Sequence, residues 1–349
     1  MEKKLEELDK SIIELISERS KLFVEQVKKR GSSPVDAFSP MDRMKTFELI
    51  ETLNSGPISD ELLKKIYGEL ISFSISAAQP LKVAYLGPEG TFTHIALLEV
   101  FGESVVSVPQ KTISDVFSEV EMDAVPFGIV PIENSSEGAV TYTLDELLET
   151  DLKIVSENYL RISYSLVSLC TDLKSVKKLY SHPQPLGQCK GWLRKNLPTV
   201  EVHHVNSTSM AAETASWDKY SAAIASEISA RIYKLNILDQ NIEDSKHNYT
   251  RFLVIGKKDH PQTGNDKTSI VCSVKDKPGA LYNMLRPFSE LGINMTKIES
   301  RPNKKKTWEY HFFIDFQGHK DDKDVEKVMA AVKEETIFFK ILGSYPAGT

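Results

Sequence analysis

The sequence predicts a multidomain chain: a three-helix all-α region over residues 1–80, an α/β region over 81–258, and a ferredoxin-like βαββαβ unit over 268–347. Three observations carry this. Apolar residues near the start, Leu5, Leu8, Ile12, Leu15 and Leu22, recur at alternating spacings of three and four. From residue 81 short apolar runs alternate with helical stretches. After a polar linker at 259–267, the pattern reads strand, helix, two strands, helix, strand.

The first helix should run to Arg30 and stop at Gly31. At 1.5 Å per residue it would be ~45 Å long, too long to bury alone. Ser39 as N-cap with Pro40 behind it starts a second helix, which Asn54-Ser55-Gly56-Pro57 ends. A third covers 59–78, and Gln79-Pro80 closes the region. Arg19 continues the apolar stripe where an apolar residue is expected. A charge there is paired, binds something, or lies beyond the buried stretch.

In the middle region, strand-like runs fall at 83–86, 104–108, 125–132, 162–170, 176–180, 200–205, 221–225 and 251–255. Intervening helices argue for mostly parallel strands. In the last region the reading is strand 268–274, helix 279–291, strands 293–300 and 307–316, helix 322–334 and strand 338–343, with Lys304-Lys305-Lys306 in a solvated hairpin turn.

A net charge of −6 gives no overall basic field for nucleic acid. Three cysteines, none in a C-x-x-C pair, argue against a disulfide framework and a cysteine-rich zinc site. Neither a signal-peptide core nor a run of about 18 apolar residues is present, so a soluble, cytoplasmic protein is expected. Glycine-rich nucleotide cradles are missing too.

Candidate chemistry gathers at strand ends, where open α/β sheets bind ligands. Gly87-Pro88-Glu89-Gly90-Thr91-Phe92-Thr93 offers backbone N–H groups and hydroxyls to an anion. Pro131-Ile132-Glu133-Asn134-Ser135 ends an apolar strand in hydrogen-bonding side chains. Ser181-His182-Pro183-Gln184 pairs a serine with a histidine, but neighbours on a strand face opposite ways, so no dyad is expected. Gln188-Cys189 follows, with Cys189 read as a buried, inert thiol. Ser207-Thr208 begins a helix as a cap. In Asn248-Tyr249-Thr250-Arg251-Phe252, Arg251 either grips a carboxylate or pairs with a structural acid.

Six of these motifs in this order resemble prephenate dehydratase: Gly87-Pro88-x-Gly90-Thr91-Phe92, Pro131-x-Glu133-Asn134-Ser135, Ser181-His182-Pro183-Gln184, Gln188-Cys189, Ser207-Thr208-x-x-Ala211-Ala212 and Thr250-Arg251-Phe252. Gly279-Ala280-Leu281 and Glu299-Ser300-Arg301-Pro302 resemble the ACT regulatory domain attached to that enzyme. Leu8-Asp9 and Glu18-Arg19 resemble the helical chorismate mutase that precedes the dehydratase in bifunctional P-proteins.

The resemblance implies a two-lobed middle domain like a periplasmic binding protein, with its site between the lobes. It implies that prephenate loses CO₂ and water to give phenylpyruvate, without metal or cofactor. Thr250 would be the proton donor. Thr91, Phe92, Glu133, Asn134, Ser135, Ser181, Gln184, Gln188, Ser207, Thr208, Arg251 and Phe252 would line the substrate site, although strand alternation turns Arg251 away from Thr250. Phenylalanine would act as effector at Gly279, Ala280, Leu281, Glu299, Ser300, Arg301 and Pro302, across an interface of a homodimer or tetramer. Arg19, Arg30 and Lys45 would bind chorismate. The mutase pattern is broken at Glu2, Thr46 and Ala78, which leaves that activity open. Arogenate dehydratase and a non-catalytic amino-acid sensor are the rival readings.

Overall fold

A computed structural model describes residues 1–31, 38–303 and 309–348; Lys304-Lys305-Lys306 lie outside them. The N-terminal region comprises α1 (Glu2–Arg30), α2 (Pro40–Leu53) and α3 (Asp60–Ala78). Pro40 occupies the first turn of α2, and the Ser59 hydroxyl caps α3 by accepting from the Leu62 N–H at 3.3 Å. Among the described residues the three helices do not enclose a core of their own. Val27, Ile71 and Ile75 share one core with Leu97, Phe101 and Phe127 of the next region. The Phe38 ring lies 4.5 Å from that of Phe101. The predicted stripe faces solvent instead: Leu5, Leu8, Ile12, Leu15 and Leu22 are 51–64% exposed.

The middle region opens with β1 (Lys82–Leu86), α4 (Phe92–Phe101), β2 (Val106–Gln110), α5 (Ile113–Glu121), β3 (Phe127–Asn134), β4 (Gly138–Ala139), α6 (Thr141–Glu149) and β5 (Lys153–Arg161). The chain then crosses into a second lobe of β6 (Ser165–Ser168), β7 (Lys178–Ser181), α7 (Pro183–Gln188), α8 (Lys190–Asn196), β8 (Glu201–His204), α9 (Thr208–Ala215), β9 (Ser221–Ala225), α10 (Glu227–Ile232) and β10 (Asn236–Gln240). It returns to the first lobe as β11 (Tyr249–Gly256). The sheet orders are β2-β1-β3-β11-β5, with β4 beside β3, and β10-β6-β9-β7-β8.

Parallel pairing is confined to β1 with β2 and β3, and to β7 with β8 and β9. The strands at and next to the two crossings, β5, β6, β10 and β11, pair antiparallel. The expectation of mostly parallel strands is thus corrected to two mixed sheets. A strand that crosses between lobes enters its sheet from the opposite end, so it runs against its neighbours. Three strands, β4, β5 and β10, lie outside the runs read from the sequence, β4 being only two residues long. The β10 strand is an edge with a register shift, and β5 carries Ser156 and Glu157 in its interior.

The C-terminal unit is β12 (Asp266–Val274), α11 (Ala280–Glu290), β13 (Met295–Pro302), β14 (Tyr310–Gln317), α12 (Lys323–Glu335) and β15 (Thr336–Pro346). Its all-antiparallel order, β13-β14-β12-β15, is the ferredoxin-like arrangement that was expected. One face packs on its helices through Met284, Phe288, Ile314, Phe316 and Val328. The other packs on the first lobe, where Val271, Phe313, Leu342 and Tyr345 join Ile132, Ile154 and Leu253. The approach is close: a Cβ on Gly343 would fall 2.2 Å from the Ile154 carbonyl oxygen.

Candidate active site

Where β11 returns from the second lobe, its first residues meet the end of β3. Thr250 is the register partner of Asn134. The Asn134 Nδ2 group donates to Thr250 Oγ1 at 2.8 Å and to Asn248 Oδ1 at 2.9 Å. The Asn248 Nδ2 group donates to Gln188 Oε1 at 3.0 Å. Asn134 Oδ1 accepts from the backbone of Ser136 and Glu137, which fixes which way the amide points. All three of Asn134, Asn248 and Thr250 are buried. The chain Gln188–Asn248–Asn134–Thr250 therefore spans the lobe junction. Thr250 is an acceptor in it, and its own hydroxyl donates to no partner among the described residues. Gln188 Nε2 is buried with no partner among the described residues, a donor available to a ligand.

Asn248 heads the Asn248-Tyr249-Thr250-Arg251-Phe252 motif, but the sequence reading gave it no role. Its place two residues before Thr250 is the signal that points to it. Gln188 is held in place because the Asp244 carboxylate accepts from the Gly191 and Trp192 N–H groups of α8, while the Asp244 N–H donates to the Gln188 carbonyl. Ser135 joins the β3 and β11 ends, accepting from the Tyr249 N–H at 2.9 Å and donating to the His247 carbonyl at 3.1 Å.

Helix starts from both lobes converge on the junction. Thr91 caps α4 and donates to the Pro88 carbonyl at 2.9 Å; the Phe92 ring meets Tyr164, in the crossing segment, at 5.4 Å. Opposite, the Ser209, Ser226 and Ser229 hydroxyls of the second lobe donate to the Glu89 and Gly90 carbonyls. Gly90 sits at φ +85°, and a Cβ there would lie 2.7 Å from Ser229 Oγ, so no other residue fits. His94 Nδ1 accepts the Gly90 N–H at 3.2 Å, and burial holds its pKa below the usual histidine range. Ser207 caps α9 through the Met210 N–H, beside buried Thr208. Ser181 Oγ donates to the His182 carbonyl and His182 Nδ1 accepts from the Gln184 N–H, so these two form no dyad. Cys189 is fully buried and burial pushes its thiol pKa up, as an inert thiol requires.

Three residues assigned to the substrate do not face the junction. Arg251 lies on the other face of β11, hydrogen-bonded to Glu157, Asp315 and Tyr345. Glu133, its register partner on β3, is bonded to Lys297 of β13 at 2.6 Å. Phe252 is a core residue, 2% exposed. Strand pleating explains Arg251 and Glu133, since the C-terminal unit covers the face that alternates with Thr250 and Asn134; Phe252 instead packs in the core with Tyr85, Ile129 and Val254.

The effector candidates are split as well. Gly279 starts α11, with buried Ala280 and half-exposed Leu281 after it. On β13 burial alternates, with Glu299 and Arg301 shielded and Ser300 and Pro302 exposed. Arg301 is committed to Asp145 of α6, at 3.0 and 3.2 Å, because this face of the strand rests on the first lobe.

Among the helices, Arg30 forms a two-pronged pair with Asp42, and Lys45 is exposed. Arg19 differs. Its guanidinium lies over the Phe23 and Tyr67 rings, and its Nη1 is buried without a partner among the described residues. It lines an open hollow of about 350 Å³ with Leu15, Glu18, Leu22, Phe23 and Gln26. Arg43, unremarked in the sequence, donates to the Val100 carbonyl in the last turn of α4.

This fold and site define a two-lobed α/β enzyme with a ferredoxin-like regulatory unit docked on its back. Comparison with known proteins agrees. Family models match residues 83–260 as prephenate dehydratase and 268–334 as an ACT domain. A bifunctional chorismate mutase/prephenate dehydratase of Aquifex aeolicus is 48% identical over 99% of this chain and 97% of its own. A prephenate dehydratase of Methanocaldococcus jannaschii is 41% identical over 76% of this chain and 97% of its own. The structure of an Arthrobacter aurescens prephenate dehydratase in complex with L-Phe, 32% identical, superposes with a TM-score of 0.71 over 76% of this chain and 90% of that one. The chain belongs to the bifunctional chorismate mutase/prephenate dehydratase family.

Proposed function

We propose that this chain converts prephenate to phenylpyruvate at the lobe junction. Its N-terminal helices convert chorismate to prephenate, and phenylalanine bound to the C-terminal unit inhibits the dehydratase. The observation that carries the dehydratase reading is the Asn134–Thr250 pair. Asn134 donates to Thr250, which aims the threonine proton outward at a leaving group. The ring C–CO₂⁻ bond breaks, its electrons enter the ring, and the ring C–OH bond breaks with them. Thr250 gives its proton to the departing oxygen, which leaves as water, and regains a proton from solvent; aromatisation supplies the driving force. A hydroxyl is a weak acid, so this contribution belongs in the 10²–10⁴-fold range. Orientation of the dianion by Gln188, Asn248, Thr208 and the helix starts supplies much of the rest.

Phenylalanine as effector is supported by the ACT domain and by the L-Phe complex of the Arthrobacter protein. The orphaned Arg19 Nη1 supports an anionic ligand in the helical region. Its hollow is walled by one helix, and the exposed apolar stripe of α1 invites a second copy to complete it. The working enzyme is then a homodimer or larger. Three buried, free cysteines suit a reducing cytoplasm.

The test is a two-substrate assay on the full chain: chorismate alone and prephenate alone, following phenylpyruvate with and without phenylalanine. Product from both, suppressed by phenylalanine, is expected. Product from prephenate alone would remove the mutase activity. Product from neither would call for an arogenate assay that follows phenylalanine: turnover there would reassign the substrate, and its absence would leave a sensor.

A further inference from the structure

We propose that the C-terminal unit sets the Asn134–Thr250 pair from behind through two ion pairs, Lys297–Glu133 and Asp315–Arg251, and that these couple effector occupancy to turnover. This rests on the reading under Proposed function. Asn134 and Thr250 are register partners, and so are their chain neighbours Glu133 and Arg251. The first pair faces the lobe junction. The second is held by the docked unit: Glu133 by Lys297 at 2.6 Å, Arg251 by Asp315 and Tyr345. Consecutive Cα atoms are 3.8 Å apart, so a shift at Arg251 or Glu133 is passed on to Thr250 or Asn134.

The grip is closed and made by both domains. Glu157 accepts from Arg251 Nε at 2.7 Å and from Lys267 Nζ at 2.6 Å. Ser269 bridges Asp315 and Tyr345 at 2.6 Å each. Lys267 also reaches the Tyr159 hydroxyl at 3.3 Å. Strands β12, β14 and β15 all contribute. Two cations and two carboxylates are thus buried and mutually satisfied. Such a group moves as a unit, because separating one partner strands a buried charge. The β11 ladder shifts register against β3 between Arg251 and Phe252, so the pairing with β3 is interrupted where the grip acts. Lys297 shares β13 with Glu299–Pro302, the segment named for phenylalanine. Arg251 is a positioning residue in this scheme, acting through Thr250.

The experiment uses the full chain and its Lys297→Met, Asp315→Asn and Arg251→Lys variants. Prephenate kcat and KM are measured with and without phenylalanine, phenylalanine binding by calorimetry, and folding by thermal melting. In Lys297→Met and Asp315→Asn, phenylalanine should bind within about threefold of the parent while its inhibition weakens at least about tenfold, within the usual span of allosteric coupling. Arg251→Lys should lower kcat with KM unchanged, a split that a merely structural role would not produce. Lys297, at the edge of the interface, keeps the test usable if Asp315→Asn does not fold. Full inhibition in a folded Lys297→Met variant overturns the proposal while leaving the dehydratase reading standing. A parent chain that does not turn over prephenate sinks both.

Discussion

Replacing Thr250 by valine keeps the volume and the branched shape but removes the hydroxyl. Two effects follow, and they separate. First, one Asn134 Nδ2 proton loses its acceptor in a buried site, while its other proton keeps Asn248. An orphaned buried donor costs about 1–3 kcal/mol. Against typical domain stabilities of about 5–15 kcal/mol the protein still folds. Second, in the proposed mechanism the departing hydroxyl loses its proton donor. A loss of 10²–10⁴ in kcat is expected from removing one general acid. At 1.36 kcal/mol per tenfold that is about 2.7–5.4 kcal/mol of barrier. KM should change little, because the proposed mechanism assigns the dianion to Gln188, Asn248, Thr208 and the helix starts. The assay is phenylpyruvate formation at saturating prephenate, with melting on the same preparations. Thr250→Ser should recover most of the rate, since a hydroxyl still receives from Asn134. A folded Thr250→Val enzyme with kcat within about threefold of the parent would refute the general-acid argument.

Burial holds the imidazole pKa of His94, His260 and His311 below the usual value. The unfolded chain protonates these groups near pH ~6.5, so in mild acid it binds more protons than the folded chain. Their contribution is complete above that pH and is lost progressively below it, towards the folded pKa values; urea midpoints that do not fall from pH 7.5 to pH 5.5 would contradict this. Gly102 ends α4 at φ +79°, ψ 178°, and a Cβ there would meet Ser72 Cβ of α3 at 2.4 Å. Gly102→Ala should therefore cost at least about 1–3 kcal/mol, read as a lowered urea midpoint. Ile12→Glu places a charge on the exposed stripe of α1: it should reduce the oligomer in sedimentation and depress chorismate turnover while prephenate turnover persists.

Most element types and their order were legible because they rest on local chemistry. Gly31 stops α1, Ser59 caps α3, and the βαββαβ pattern is readable from period alone. Alternation also put Thr250 and Arg251 on opposite faces. It could not say what covered Arg251, because the covering residues, Asp315 and Tyr345, lie 64 and 94 positions away. The same interface hid β5. Glu157 reads as a surface residue, yet it is buried between Arg251 and Lys267.

The helical stripe erred in the opposite sense. Its period predicted a helix correctly, but period alone says that one face is apolar, not that this chain supplies the partner. Here the inner side of the helical region belongs to the dehydratase core, through Val27, Ile71 and Ile75. Arg43 extends that union, since its guanidinium meets the carbonyl end of the helix whose other end carries Thr91 and Phe92. A cation there suits the negative end of the helix dipole. The three helices are thus fastened to a strut of the dehydratase site, while their own stripe and the Arg19 hollow face away from it. In the proposed homo-oligomer one region then serves two partners at once: the dehydratase lobe behind it, and a second copy of the chain in front.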